Sequence, residues 1–332
     1  MSEAALLVDI RNLSVTFNGP RGSIRAVNNV TLGVRPGEVT VLLGESGSGK
    51  SVTLKSILRL HPPGTRIEGS IQVAGREVTA LSTRELGHLR GRDVAMIFQE
   101  PRLALDPVYT VGDQITEAIR HHEGIGEAEA RKRALHLFEK VRIPSAQRRL
   151  DSYPHEMSGG MLQRVMISLA LSCNPKVLLA DEPTTALDAT VQIQILLLLR
   201  ELQREFGLSM IFVTHDIGVA SEIADRIAVM YAGKIVEEAS AVQIIESPLH
   251  PYTAGLLGAR VELAEGRDRL LTIPGAPPDM TTLPAGCAFV PRCMRASDEC
   301  RMEQPELKAA FGGGHVACFH PLNEQVFETA AR

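Results

Sequence analysis

A glycine-rich segment near the start of the chain has the spacing of a phosphate-binding loop. The sequence GESGSGKS, residues 44–51, follows an apolar run and precedes a helical pattern. Its glycines let backbone N–H groups curl around phosphate oxygens, Lys50 reaches the terminal phosphates and the Ser51 hydroxyl ligates Mg²⁺. A plain Gly/Ser turn does not need Lys and Ser at that offset. The residues predicted to bind a nucleotide are Gly44, Glu45, Ser46, Gly47, Ser48, Gly49, Lys50, Ser51 and Val52.

Two acidic residues follow a second apolar run. Asp181 and Glu182 come directly after residues 177–180, at a strand tip, where doubly wound sheets gather their ligand-binding residues. Asp181 suits the Mg²⁺ coordination shell, and Glu182 is placed to accept a proton from the attacking water or to orient it. A solvated turn before Pro183 is the alternative, which the phosphate loop makes less attractive. We therefore predict that Glu182 is the general base.

A second anion-binding signature lies between these motifs. MSGGMLQR, residues 157–164, places Ser158, Gly159 and Gly160 ahead of a helix whose apolar residues begin at Leu162. The serine hydroxyl and the exposed backbone N–H groups form a candidate anion site. An ordinary helix N-cap is the alternative; it explains the serine, but it does not explain a glycine pair that weakens the first turn.

The elements that must position these residues follow from the apolar patterns. Alternating apolar residues predict an antiparallel β region at the start of the chain, and helical spacing over residues 111–172 predicts an inserted helical subdomain. Later apolar runs flank a long helix in the βαβ rhythm of a parallel sheet. The predicted strands are 6–15, 26–34, 38–44, 177–180, 210–214, 227–230 and 234–237, and the predicted helices beside them are 51–60 and 191–206.

Composition and charge exclude several classes of protein. The chain has 332 residues, of which 44% are apolar and 22% charged, enough to bury a sizeable core. A net charge of −4 without a long basic run argues against nucleic acid as a partner. The longest apolar runs fall far short of the roughly 18 to 20 residues that cross a bilayer. No signal peptide is visible, so a cytoplasmic location is expected.

Six motifs occur in a fixed order along the chain. They are GESGSGKS, Gln99 in MIFQEP, SGGM, VLLADEP, Ala186-Leu187-Asp188, and His215 in FVTHD. In this order they resemble the ATP-binding subunit of an ABC transporter, and the match covers roughly residues 6–240. Met157 and Met161 replace the Leu and Gln of the LSGGQ signature of that family, but the Ser-Gly-Gly core is intact.

The resemblance implies that Mg-ATP lies between two ATPase subunits. One subunit then supplies the phosphate loop, the acidic pair, Gln99 and His215, and the other supplies the Ser-Gly-Gly core. Asp188 is implied to contact the other subunit, and Phe17 to stack on adenine, although a plain strand-core aromatic is the alternative for Phe17. The implied catalytic residues are Glu182, His215 and Gln99, and the implied Mg²⁺ ligands are Ser51, Gln99 and Asp181.

Four of the five cysteines lie near the end of the chain, with the spacing Cys-x5-Cys-x6-Cys-x17-Cys. A reducing cytoplasm disfavours disulfides, and the close cysteine pair typical of structural zinc sites is absent. An iron–sulfur cluster therefore remains, with free thiols as the alternative. Cys173 stands apart at the end of a predicted helix and is expected to be a buried apolar side chain.

The same segment resembles the C-terminal extension of peptide-importer ATPases. The resemblance rests on Leu-His-Pro-Tyr at 249–252, on prolines near Leu283 and Cys287, and on Val-Pro-Arg-Cys at 290–293. Some members of that branch carry a 4Fe-4S cluster, which implies Cys287, Cys293, Cys300 and Cys318 as its ligands here. The histidines that remain open as alternative ligands are His250, His315 and His320.

The predicted fold is α/β. It consists of a P-loop ATPase core with a parallel sheet, an N-terminal antiparallel β subdomain, an inserted helical subdomain and an irregular Cys-rich C-terminal extension. The predicted nucleotide-binding domain covers residues 1–245, with the helical subdomain at about 102–172, and the extension covers 246–332.

The resemblance implies an ATPase subunit of an ABC importer for dipeptides or oligopeptides. It would lie peripherally on the cytoplasmic face of the cell membrane. The implied partners are a second, identical or related ATPase subunit, two permease subunits and an extracytoplasmic substrate-binding protein. The alternatives are a nickel or other small-solute importer, an exporter ATPase, and a soluble ABC ATPase that serves ribosomes or DNA repair.

Overall fold

The computed structural model describes residues 5–19, 22–185, 187–259, 273–310 and 313–322. They fall into two units. The first unit contains Met1–Leu7, Val34–Glu38 and Gln72–Phe212, and the second contains Val8–Gly33, Val39–Ile71 and Val213–Arg332. Parts of two predicted features lie outside the described residues: Ala186 of the Ala-Leu-Asp motif, and the segments 260–272, 311–312 and 323–332 of the extension. Residues 20–21, between the first two predicted strands, also lie outside them.

An antiparallel sheet opens the chain, as predicted. Its strand order is β2-β1-β4-β5. Buried residues alternate along β1, but the alternation changes phase at Asn12, whose φ of 51° lies in the left-handed region. Opposite it, a Cβ on Gly69 would lie 2.5 Å from the Asn12 carbonyl oxygen, so only glycine fits there. The strands are β1 Val8–Gly19, β2 Gly22–Val34, β4 Arg66–Val73 and β5 Arg76–Glu77.

The second unit also contains the strand that carries the phosphate loop. Strand β3 (Val39–Leu43) is buried along its whole length and pairs in parallel with β9 (Arg226–Tyr231). A continuous apolar run is typical of parallel strands that are covered on both faces. Further strands extend the sheet from β9 in an antiparallel manner, namely β10 Lys234–Ser240, β12 His315–Val316 and β11 Lys308–Ala309.

Short helices complete the second unit. The predicted helix after the phosphate loop ends at Ile57, not at residue 60, because Arg59 takes a left-handed φ of 50° that stops the helical hydrogen bonding. The extension is less irregular than its sequence indicates, since β11 and β12 join it to β10. The helices are α1 Lys50–Ile57, α9 Ile217–Ile223, α10 Ala241–Glu246, α11 Pro251–Gly258 and α12 Asp298–Met302.

The first unit combines parallel strands with the predicted helical insertion. Strand β6 (Val94–Ile97) pairs in parallel with β7 (Val177–Asp181), and β8 (Ser209–Thr214) lies beside β7. The last helix begins after the N-cap Asp188 and ends before Gly207, whose left-handed φ of 64° is typical of a C-cap glycine. The helices are α2 Thr83–Arg92, α3 Pro101–Ala104, α4 Val111–Glu123, α5 Glu127–Lys140, α6 Ala146–Arg149, α7 Gly159–Leu171 and α8 Ala189–Phe206.

The predicted fold class is confirmed in its α/β architecture, its antiparallel N-terminal sheet and its parallel sheet. In the part of the chain that the structure describes, no helix is both long enough and apolar enough to cross a membrane.

Candidate functional site

The phosphate loop joins the buried strand β3 to helix α1 in the second unit. Two of its glycines are required by close backbone contacts. A Cβ on Gly44 would lie 2.3 Å from the Met230 carbonyl oxygen, and a Cβ on Gly49 would lie 2.5 Å from that of Ala26. Gly49 is also the N-cap of α1, with a φ of 103° that L-residues rarely adopt. The sequence pattern therefore corresponds to a loop that packs tightly against its own unit.

Lys50 holds this loop from the inside. Its side chain is 4% exposed, and its Nζ donates to the carbonyl oxygens of Gly44 at 2.7 Å and Glu45 at 2.9 Å. Among the described residues, the buried Ser48 Oγ is one of the few side-chain oxygens without a hydrogen-bond partner. An ammonium group and an unsatisfied hydroxyl in one glycine-rich loop suit a phosphate ligand, because a buried polar group needs a partner.

Other predicted nucleotide contacts lie elsewhere in the second unit. Phe17 is half-buried near the end of β1, and its ring meets that of His61 edge-on, with centroids 5.6 Å apart. It is therefore not a fully buried strand-core residue. His215 is exposed and directly follows β8, while the next residue, Asp216, caps α9 by accepting from the backbone N–H of Gly218 at 2.7 Å. Ser51 and Val52 are half-buried in the first turn of α1.

The acidic pair lies in the first unit, at the end of β7. Asp181 is 2% exposed and Glu182 is half-buried, with a left-handed φ of 46°. Such a conformation costs about 1–3 kcal/mol in a non-glycine residue and is common at functional sites. The Glu182 carboxylate accepts hydrogen bonds from Gln99 Nε2 at 3.4 Å and from the Thr185 hydroxyl at 2.9 Å.

Gln99 and Glu182 are thus brought together, although they are 83 positions apart in the sequence. Thr185 is a contact that the sequence reasoning missed. Its backbone N–H also donates to the Glu182 carbonyl oxygen at 3.2 Å, which closes a turn after the strand. A hydroxyl residue three positions after the glutamate was the available signal, because such residues bond back across turns.

The Ser-Gly-Gly core begins helix α7 in the same unit. Ser158 is its N-cap and accepts from the Met161 N–H at 3.4 Å. A Cβ on Gly160 would lie 2.8 Å from Val191 Cγ1, and this close approach explains one of the two glycines. Gly159 has more space, with Leu187 3.7 Å from a Cβ there. Part of the glycine pattern therefore has a packing reason that the sequence alone did not reveal.

Asp188 also has a local structural role. Its Oδ1 accepts from the Val191 N–H at 3.0 Å and caps α8, while the side chain remains exposed. Ser158 and Asp188 therefore cap two helices of the first unit, the same unit that holds Gln99, Asp181 and Glu182. Both caps leave the helix N-termini at the surface, where such termini favour anions.

The four clustered cysteines meet at one cavity in the second unit. The Cys287 N–H donates to the Cys300 carbonyl oxygen at 2.8 Å and joins two of the cysteine segments. Cys300 Sγ accepts from the Ser297 hydroxyl at 3.4 Å, and Cys318 Sγ accepts from the His320 N–H at 3.3 Å. The residues that line the cavity include Cys287, Cys293, Cys300, Cys318, His250 and His320.

Burial disfavours the thiolate form of three cysteines in this cavity. It raises the pKa of Cys287 and Cys293, and it raises the pKa of Cys318 to about 12. The neighbouring thiols increase the pKa of Cys318 further, because thiolates close together repel one another. A cationic metal centre would reverse this balance by binding the thiolates.

The spacing of these groups does not fit a single metal ion. Among the described residues, no three Cys, His, Asp or Glu side chains form a group that could hold one. An ion such as Zn²⁺ needs its sulfur ligands at about 2.3 Å, so they must lie close together. A 4Fe-4S cluster is held by four cysteine thiolates. In this structure the four thiols line one cavity, and two of their sulfurs accept hydrogen bonds.

Two of the three histidines considered as ligands have other positions or roles. His250 is buried, its Nδ1 accepts from the Tyr252 N–H at 3.0 Å, and burial lowers its pKa to about 3. His315 lies on β12, where it pairs with Glu238 of β10. Both His250 and His320 line the cavity, and His320 Nε2 lies 2.7 Å from Ser297 Oγ. The isolated Cys173 is buried as expected, and burial raises its pKa.

Comparison with known proteins shows to which class of protein this chain belongs. The ABC transporter family matches residues 27–185. The dimeric ATP-binding cassette MJ0796, solved in a post-hydrolysis state with ADP and Pi, is 33% identical with a TM-score of 0.63 and covers 70% of this chain and 98% of its own. The protein cbiO1 from Clostridium perfringens is 25% identical with a TM-score of 0.63, over 79% and 98%. The chain belongs to the ABC transporter ATP-binding proteins and is an ATPase.

Its branch follows from the rest of the chain. The family described as "Oligopeptide/dipeptide transporter, C-terminal region" matches residues 236–300. A Brucella abortus (strain 2308) protein named for peptide import and ATP binding is 50% identical, over 95% of both chains. The oligopeptide transport ATP-binding protein OppD of Salmonella typhimurium (strain LT2) is 46% identical, over 97% of this chain and 96% of its own. The chain belongs with these ATP-binding proteins, which span its nucleotide-binding region and its cysteine-bearing extension.

Proposed function

We propose that this ATPase powers the import of dipeptides or oligopeptides and that Glu182 is the general base of its reaction. The observation that carries the catalytic part is the convergence of Gln99 and Thr185 on the Glu182 carboxylate. A carboxylate fixed by two donors at a strand tip is oriented for one task, which here is to position the attacking water and take its proton.

The other roles follow from chemistry and position. Lys50 and the N–H groups of residues 44–51 bind the β- and γ-phosphates, and Phe17 stacks on the adenine ring. Ser51, Gln99 and Asp181 are the residues that would hold Mg²⁺, which would supply positive charge to the phosphates when it is bound. His215 donates to the γ-phosphate.

We further propose that two chains share each ATP. Ser158, Gly159 and Gly160 supply an exposed helix N-terminus that suits the γ-phosphate of ATP held by a partner, and Asp188 contacts that partner. The dimeric state of the MJ0796 cassette with ADP and Pi supports this arrangement. The partner is either a second copy or a related ATPase subunit.

Peptide import requires partners beyond the ATPases. In this proposal the chain binds peripherally to two permease subunits on the cytoplasmic face of the membrane, and a substrate-binding protein delivers the solute outside. The match of residues 236–300 to the peptide-transporter extension, together with similarity to OppD over nearly the whole chain, favours peptides over nickel as the solute.

Uptake by cells tests the proposed solute. In a strain that lacks the chain, we expect uptake of a radiolabelled dipeptide or tetrapeptide to fall to background and to return with the wild-type gene but not with Glu182→Gln. Uptake of ⁶³Ni²⁺ in the same cells is expected to stay unchanged. Loss of nickel uptake with normal peptide uptake would identify the alternative importer class instead.

The cysteine cavity carries a separate proposal, which is that Cys287, Cys293, Cys300 and Cys318 hold a 4Fe-4S cluster. The presence of all four cysteines in the lining of one cavity and the hydrogen bonds to two of the sulfurs support it. Such a cluster would join short segments that have little apolar core of their own. No step of ATP hydrolysis depends on it.

Anaerobic purification checks this assignment. We expect a brown protein with about four irons and four sulfides per chain, in keeping with a four-thiolate cluster. Both counts should fall to background in a Cys293→Ser, Cys300→Ser variant and remain in the control Cys173→Ser, which alters a cysteine outside the cavity. Stoichiometric zinc, or colourless metal-free protein with normal ATPase activity, would contradict the cluster.

A further inference from the structure

The phosphate loop makes a direct ionic contact with the C-terminal extension. Arg292 donates to the Glu45 carboxylate through both terminal nitrogens, from Nη1 to Oε2 at 2.6 Å and from Nη2 to Oε1 at 2.9 Å. Two parallel charge-assisted bonds of this kind fix both distance and orientation. Glu45 is the second residue of the phosphate loop, and the two side chains are 247 positions apart in the sequence.

The arginine is held rigidly on its own side of this contact. Its side chain is 4% exposed, and its Nε donates to the Pro274 carbonyl oxygen at 2.9 Å. Nη1 also lies 3.4 Å from the Tyr231 hydroxyl, and the guanidinium carbon is 5.9 Å from the centre of that ring. The guanidinium group is therefore held in one orientation, unlike that of a mobile surface arginine.

A second contact from the extension reaches the same loop residue. The Glu45 N–H donates to the Tyr252 hydroxyl at 2.9 Å, and Tyr252 packs on Tyr231 and Phe289 with ring centroids 4.6 Å and 5.4 Å away. The Glu45 carbonyl oxygen, in turn, accepts from Lys50 Nζ at 2.9 Å. The backbone of Glu45 therefore joins the extension directly to the lysine that contacts the phosphates in the proposed site.

The ion pair between Arg292 and Glu45 also changes the charge of the phosphate loop. An unpaired Glu45 carboxylate in the phosphate loop would repel a bound triphosphate. Arg292 neutralises it through an ion pair in which the arginine side chain is 4% exposed and the glutamate side chain 28%, so the two charges interact more strongly than in bulk water. Both the position and the charge of Glu45 thus depend on a residue of the extension.

We propose that Arg292 is a positioning residue for ATP: it clamps Glu45, holds the phosphate loop in its binding conformation and cancels a negative charge beside the phosphates. This inference rests on the proposed role of the loop. It also gives the extension a direct function in nucleotide binding, beyond any cluster at the adjacent cavity, although Arg292 is next to Cys293.

The test is a double-mutant cycle on the dissociation constant for Mg-ATP, measured with the purified full chain. Arg292→Ala is expected to weaken ATP binding about tenfold, or about 1.4 kcal/mol, because Glu45 is left unpaired. Adding Glu45→Gln to that variant removes the repelling charge and is expected to recover most of the affinity. KM should rise in Arg292→Ala, whereas kcat should stay close to that of the wild type, because the clamp does not touch the reacting atoms.

The matched control is Arg301→Ala, which removes an exposed arginine of the same extension and should leave the dissociation constant unchanged. Tyr252→Phe removes only the hydroxyl that accepts from the Glu45 N–H. If Arg292→Ala does not fold, this variant still tests whether the extension positions Glu45 for ATP binding. It is expected to weaken ATP binding about threefold, in line with the loss of one neutral hydrogen bond.

Three outcomes would overturn the proposed role of Arg292. The first is wild-type ATP affinity in Arg292→Ala, and the second is a double variant that binds ATP as weakly as Arg292→Ala alone. The third, which applies if Arg292→Ala does not fold, is wild-type ATP affinity in Tyr252→Phe. Lys50→Ala, measured in parallel, separates this failure from that of the proposed site. If Lys50→Ala loses ATP and Arg292→Ala does not, only the clamp is wrong. If Lys50→Ala binds ATP normally, the role of the loop itself is wrong.

Discussion

Glu182→Gln is expected to abolish most ATP turnover while it leaves ATP binding intact. Glutamine has nearly the same shape and still accepts the hydrogen bonds from Gln99 and Thr185, but it cannot take a proton. General base catalysis contributes about 10²- to 10⁴-fold, so kcat should fall by that factor. Phosphate release from purified protein measures the rate, and fluorescent ATP titration measures the affinity.

Glu117→Gln is the matched control for this change. Glu117 is an exposed residue of helix α4 in the same unit, so its substitution removes one carboxylate without touching the acidic pair. We expect its turnover and its ATP affinity to equal those of the wild type. Normal turnover in Glu182→Gln would remove Glu182 from the role of general base.

Lys50→Ala is expected to lose ATP affinity rather than the chemical step alone. The ammonium group is buried in the loop and bonded to the carbonyl oxygens of Gly44 and Glu45. Hydrogen bonds to charged groups contribute about 1.5–3 kcal/mol, so the dissociation constant for ATP should rise by about ten- to a hundredfold. Equilibrium titration with Mg-ATP measures this change.

Lys55→Ala provides the comparison, because Lys55 lies on the same helix but outside the loop. Its ATP affinity should match that of the wild type, and a thermal unfolding curve shows whether either variant loses its fold. A Lys50→Ala protein that folds and binds ATP as tightly as the wild type is incompatible with the proposed phosphate site.

Much of the fold could be predicted from local patterns. The apolar run of β3 is buried along its length, and the helix predicted at 191–206 forms as α8, Ala189–Phe206. Strand β6 was not predicted, because its four apolar residues are too few to show a period. The early end of α1 depends on the backbone of Arg59, a residue type that gives no stop signal.

The site residues that belong to one short motif could be predicted, whereas contacts between residues far apart in the sequence could not. The loop at 44–51 and the acidic pair follow from their own spacing, whereas the role of Gln99 rests on the resemblance. The contact of Gln99 with Glu182 is seen only in the structure. Arg292 and Tyr252 could not be predicted as partners of the loop, since no short-range pattern links residues more than 200 positions apart. The packing of Gly160 against Val191 was hidden for the same reason.

In the proposed mechanism, two chains share each Mg-ATP and hydrolyse it with Glu182. The most direct measurement is ATP turnover per chain of the purified protein over a wide range of protein concentration, with and without Mg²⁺. We expect turnover per chain to rise with concentration and level off as dimers form, to require Mg²⁺, and to stay near background throughout in Glu182→Gln. Turnover per chain that is constant down to the lowest concentration, at which light scattering shows only monomers, would contradict the shared site.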